Sequence, residues 1–159
     1  MLLQEFYAFR HIKKSHCSHS TTFKNAGRCF AISYGAGTVV GSVGSDVLSM
    51  GGLQVPYQGI GMVTKLTRYA ATQHIDGLLG LAWPSIAETE VLPPLFNLLP
   101  HLDEPIFTIW LDRHMKPSEG VVGGLITYGG LDNVNCDAQI DYVPLVGESN
   151  WMFRVAGLV

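Results

Sequence analysis

The sequence predicts a mainly β fold. Three observations carry this: 18 glycines and 8 prolines spread along 159 residues, short apolar runs between them, and only one stretch with clear helical spacing. Hydrophobic residues make up 47% and charged residues 14%, a balance that suits a packed core and argues against disorder. The length fits one domain with a real core.

Residues 1–28 are polar and irregular, with Lys13, Lys14 and the histidines His11, His16 and His19, and read as loop or frayed terminus. From Phe30 the texture changes. Phe30-Ala31-Ile32-Ser33-Tyr34 reads as a strand, Gly35-Ala36-Gly37 as a turn, and Thr38-Val39-Val40 as the returning strand, so residues 30–44 form a β-hairpin. Residues 46–50 and 53–63 are further strands around Gly51-Gly52. Residues 75–83 read as a buried strand and turn, and Pro84 opens a turn or short helix. The helix candidate is 92–102, where Leu95, Leu98, Leu99 and Leu102 recur at helical spacing until Pro100 breaks the pattern. Residues 106–111, 121–128, 140–143 and 151–155 are the remaining strands.

Net charge is −3, so no basic face for nucleic acid is expected. No apolar run approaches the roughly 20 residues that span a bilayer, and no membrane association is expected. Glu5 and Arg10 interrupt the N-terminal apolar stretch, so no signal peptide is visible. The cysteines Cys17, Cys29 and Cys136 are odd in number, which leaves one without an intrachain partner in an oxidising compartment and leaves the pairing open. His11, His16, Cys17 and His19 include zinc-ligand types, but their spacing fits no familiar structural site, so no metal and no cofactor is expected.

Four segments, in order, resemble the pepsin-like aspartic endopeptidases (peptidase family A1). Ile32-Ser33-Tyr34-Gly35-Ala36-Gly37-Thr38 is similar to the family's flap hairpin. Asp76-Gly77-Leu78-Leu79-Gly80-Leu81-Ala82-Trp83-Pro84-Ser85-Ile86 matches a characteristic family run with two aliphatic or aromatic exchanges. Phe107-Thr108-Ile109-Trp110-Leu111 resembles the strand after the first lobe's helix. Tyr128-Gly129-Gly130-Leu131-Asp132, followed by Tyr142-Val143-Pro144-Leu145 and Trp151-Met152-Phe153, resembles the strands that lead toward the second lobe. The resemblance covers residues 17–159 and leaves 1–16 as an irregular N-terminal segment. It implies an incomplete pepsin-like acid protease fold: the first lobe without its first catalytic strand and loop, plus the start of the inter-lobe region.

The family's chemistry needs two carboxylates that share one proton and activate a water. Each sits in an Asp-Thr/Ser-Gly turn. None of Asp46, Asp76, Asp103, Asp112, Asp132, Asp137 and Asp141 is followed by Thr-Gly or Ser-Gly, so no catalytic residue is assigned. What the resemblance implies here is substrate binding, by Tyr34, Gly35, Ala36, Gly37 and Thr38 of the flap and by Ile75 and Leu78 of the primary specificity pocket. Read by themselves, Tyr34 is an ordinary strand aromatic, Ile75 and Leu78 are plain core residues, and Asp76-Gly77 makes a turn. Ala36 lacks the hydroxyl the family usually carries at that place.

The resemblance implies an aspartic-type endopeptidase acting on peptides or proteins, secreted or lysosomal, of which this chain is an inactive part. The alternative is a catalytically dead pepsin-like module that binds a peptide or partner; an unrelated all-β binding domain is the third reading. A first lobe without its central strand is also expected to be poorly stable. It would associate through exposed strand edges, with residues 75–83 as the contact run.

Overall fold

A computed structural model describes residues 7–9, 20–35, 37–67, 77–113 and 120–157. The elements are β1 (Tyr7–Phe9), β2 (Lys24–Tyr34), β3 (Gly37–Met50), β4 (Leu53–Leu66), β5 (Gly77–Leu78), the short helix α1 (Pro94–Leu98), β6 (Phe107–Leu111) and β7 (Gly124–Tyr128). Pro84–Ile86 and Leu99–His101 are single 3₁₀ turns. The mainly β architecture expected from the sequence is present.

β2, β3 and β4 form an antiparallel meander, and β1 and β5 extend it in the order β2-β3-β4-β1-β5. β1 runs parallel to β4, with Tyr7 opposite Gly61, and antiparallel to β5, with Tyr7 opposite Leu78. A separate two-stranded sheet joins β6 to β7, with Phe107 opposite Tyr128.

Alternation builds the core. Phe30, Ile32, Val39, Val43 and Val63 are buried on one face of the meander, and Tyr34, Leu66, Leu78 and Val91 pack against them. Residues between them along the strands, such as Ala31, Ser33 and Val40, are exposed, as a period of two requires. Gly51 and Gly52 both hold positive φ, 57° and 81°, the requirement of a tight two-residue hairpin turn. Pro56 lies where the β3–β4 register shifts between Asp46 and Leu48. A residue without an N–H is tolerated in a strand at such a bulge.

α1 crosses β4, burying Leu95 and Leu98. Beneath it lies a polar knot. Gln58 is fully buried; its Nε2 donates to the Gly59 and Leu92 carbonyls, both at 2.9 Å, and its Oε1 accepts from Asn97 Nδ2 at 2.8 Å. A buried amide is stable only when its capacity is met in this way.

Four expectations need correction. Residues 1–28 are not uniformly irregular, since Tyr7–Phe9 and the start of β2 are strands. The first half of β2 is exposed on both faces and breaks register between Asn25 and Arg28, so no apolar alternation announces it. The helix is shorter than 92–102, because Pro93 and Pro94 delay its start and Pro100 tightens its end into a 3₁₀ turn. Residues 140–143 and 151–155 form no sheet strands; the bridge in this region joins Phe153 to Leu145, outside the first of these segments. In the proposed contact run 75–83, Leu81 and Ala82 are buried, so they offer no surface to another chain. His11, His16, Cys17, His19, Ile75 and Asp76 lie outside the described residues, as does Ala36 at the hairpin tip.

Candidate functional site

The hairpin of β2 and β3 closes with Tyr34 opposite Gly37 and Ser33 opposite Thr38. The turn thus falls between Tyr34 and Gly37, within the Gly35-Ala36-Gly37 stretch expected from the sequence. The Ser33 and Thr38 hydroxyls lie 3.1 Å apart, a cross-strand tie just below the tip. Gly37 holds φ at 121°, and a side chain there would collide with the Thr67 hydroxyl. Thr67 N donates to the Thr38 carbonyl at 3.1 Å, so the end of β4 braces the returning arm of the hairpin. Gly35 is exposed, and a methyl there would meet nothing within 4 Å; its surroundings do not demand glycine.

Tyr34 and Leu78 are half-buried and pack against the same apolar cluster. The structure therefore brings together two residues forty-four positions apart (78 minus 34) that the sequence reading grouped. Leu66 and Val91 join the same cluster, and Thr67 sets the tip. No motif pointed to these three; only the fold reveals them.

The carboxylates looked for in the sequence serve local structure where their partners are seen. Asp46 Oδ1 accepts from the Thr22 hydroxyl and, at 2.8 Å, from Val47 N. The Thr22 hydrogen bond above all lowers its pKa below the ordinary 3.8. Asp132 is buried. It accepts from Asn135 Nδ2 at 2.8 Å, Asn135 N at 3.0 Å and Val134 N at 3.1 Å, closing the turn after β7. The Asn135 side chain leads in lowering its pKa. No cluster of three or more His, Cys, Asp or Glu that could hold a metal occurs among the described residues.

A lowered folded-state pKa contributes stability that is complete above the unfolded value, near 3.8, and is lost as pH falls through the folded value. Asp132→Asn is therefore expected to be less stable than wild type at neutral pH, with the difference closing as pH falls below 3.8 and through the lowered folded-state value. Urea-unfolding midpoints of both proteins across this range check it. Asp46 titrates in both and cancels from the difference. A gap that stays constant into acid would refute the role of the charge.

A family model described as eukaryotic aspartyl protease matches residues 7–159. The chain belongs to the eukaryotic aspartyl protease family. Among aspartyl protease relatives, Aspartic protease 1 of Caenorhabditis elegans is 46% identical over 143 residues, 89% of this chain and 36% of the relative. Aspartic protease 17 of the same organism is 42% identical over 91% of this chain and 37% of its own length. Vacuolar aspartic protease of Candida albicans is 33% identical over 94% of this chain and 36% of its own length. This aspartyl protease chain thus spans little more than a third of the relatives it matches. Within its 159 residues no aspartate sits in an Asp-Thr-Gly or Asp-Ser-Gly turn.

Proposed function

We propose that this chain is the substrate-covering part of an aspartic endopeptidase and does not cleave peptide bonds by itself. The observation that carries the reading is the hairpin whose tip follows Tyr34, with Leu78 packed on the same cluster. A peptide lying under such a hairpin would meet Tyr34, Gly35, Ala36, Gly37 and Thr38 from above and Ile75 and Leu78 from the side. Closing the hairpin would exclude bulk water from the reacting bond. The two proton-sharing carboxylates that cleave it would come from polypeptide other than these 159 residues.

The domain responsible is residues 17–159, and the substrates are peptides or proteins. A secreted, lysosomal or vacuolar setting fits this reading, in keeping with the vacuolar relative. No described helix is long and apolar enough to cross a membrane. A second reading, a module that binds peptides without cleaving, is favoured by the same absence of Asp-Thr/Ser-Gly turns.

The purified chain is expected to leave denatured haemoglobin intact from about pH 2 to 7, the range in which a carboxylate pair can share a proton. Cleavage that a statine-type inhibitor blocks would overturn the reading. Transcript sequence around this reading frame separates the two readings: Asp-Thr-Gly or Asp-Ser-Gly turns there support the protease, and their absence supports the binding module.

A further inference from the structure

We propose that Thr67 is a positioning residue for the hairpin of β2 and β3: it latches the returning arm and sets how readily the hairpin end lifts. The proposal rests on the reading of that hairpin as a substrate cover, since a cover must open to admit a peptide and close over it.

The latch sits at the end of a weakened ladder. β4 stays beside β3 as far as Leu66, opposite Val39. The register slips between Val40 and Gly41, whose partners are Lys65 and Val63, so Thr64 is the extra residue. Such a bulge bends the strand and interrupts the ladder. The Thr64 hydroxyl donates to the Val40 carbonyl at 3.3 Å, a long bond at this break. Past the bulge, Thr67 N donates to the Thr38 carbonyl at 3.1 Å. Among the described residues this is the last backbone bond from β4 to the hairpin, whose end is otherwise paired only between its own arms.

The side chain makes this last rung specific. Gly37 holds φ at 121°, and the place of its missing side chain is filled by the Thr67 hydroxyl. Thr67 Cβ and Cγ2 lie 3.0 and 3.3 Å from where a Cβ would stand. The hydroxyl can rotate away, but Cβ is fixed by the backbone, and a β-branched side chain is stiff at χ1. Residue 67 therefore keys into Gly37 while its amide holds Thr38. The Ser33 and Thr38 hydroxyls, 3.1 Å apart, pass the restraint to the outer arm. Thr67 is exposed and lies outside the buried cluster around Val39. A contact of that kind opens locally, without unfolding the sheet.

Amide exchange of the full chain tests this, read at residue 67 and at β3 residues 43–50, each rate corrected for the intrinsic rate of the residue present. Thr67→Ala keeps the backbone donor and removes the key. It is expected to raise exchange at residue 67 by about two- to tenfold, the fold-change that corresponds to one net hydrogen bond, and at residues 43–50 by less than about twofold. Thr67→Ser, which returns an oxygen to the seat, is expected to stay within about twofold of wild type. Lys65→Ala, exposed on the same stretch of β4, is the control and is expected to change exchange at residue 67 by less than about twofold. An equal rise in both regions would show a merely structural role and overturn the proposal. So would no change in Thr67→Ala, a serine variant that behaves as the alanine one, or an equal effect at Lys65. A Thr67→Ala chain unfolded by circular dichroism would overturn it too, because a latch outside the core cannot carry the fold. Haemoglobin cleavage by the chain, which overturns the proposed function, leaves this measurement untouched, so the two fail separately.

Discussion

Gly41→Val is expected to destabilise the five-stranded sheet by about 3 kcal/mol or more. Gly41 is buried in the middle of β3, where the β3–β4 register shifts between Val40 and Gly41. A Cβ there would run into the Met62 carbonyl and approach Phe30 Cε1 to 2.9 Å. Phe30 belongs to the central cluster and cannot retreat without opening it. The carbonyl is backbone and cannot rotate away as a side chain could. Overpacking ordinarily costs about 1–3 kcal/mol, and the backbone collision sets the top of that range as the floor here. Against a net stability of about 5–15 kcal/mol this is a large fraction. Thermal and urea unfolding, with Gly147→Ala as control because nothing lies within 4 Å of a methyl there, measure the effect. A loss within about 0.5 kcal/mol of the control would refute the contact.

The second large effect is expected at Gln58→Leu. Leucine is of similar size, so little cavity is left, and the substitution isolates the polar knot. It strands the Leu92 carbonyl and the Asn97 amide, which Gln58 holds at 2.9 and 2.8 Å. An unmet buried group costs about 1–3 kcal/mol, so the pair is expected to cost about 3–5 kcal/mol in urea unfolding. Asn97→Ala made on top of Gln58→Leu should cost much less than Asn97→Ala alone, because their partnership is already gone. Additive losses would show that the two side chains act independently.

Legibility from sequence followed local chemistry. The hairpin of β2 and β3 was readable because Phe30, Ile32 and Val39 alternate correctly around a glycine-bearing tip. The meander turn was readable because Gly51-Gly52 is a turn signal in itself. What stayed hidden depends on contacts between distant segments. Lys24 to Cys29 is strand only because β3 pairs with it, and nothing apolar advertises the fact. The reverse error arose at 140–155, where the apolar pattern is that of strands but only one bridge is formed. Pattern reports what a segment can pair with, whereas the ladder also needs a neighbour. In the candidate site, Tyr34 and Leu78 were found by motif, while Thr67 has no sequence signature because its role is to occupy the space Gly37 leaves open.

The strand order also sets a timetable for assembly. β2, β3 and β4 are neighbours in sequence as well as in the sheet, and each joins the next through a tight turn. Closing such short loops costs little chain entropy, so the meander can nucleate early. β1 is different: it reaches across the chain to Gly61 and Leu78, and it can dock only after β4 exists to receive it. β1, and β5 which pairs with β1 alone, are therefore the last rungs to arrive and the first to leave. Amide exchange in β1 should report opening of this end of the sheet while β3 amides still report global unfolding.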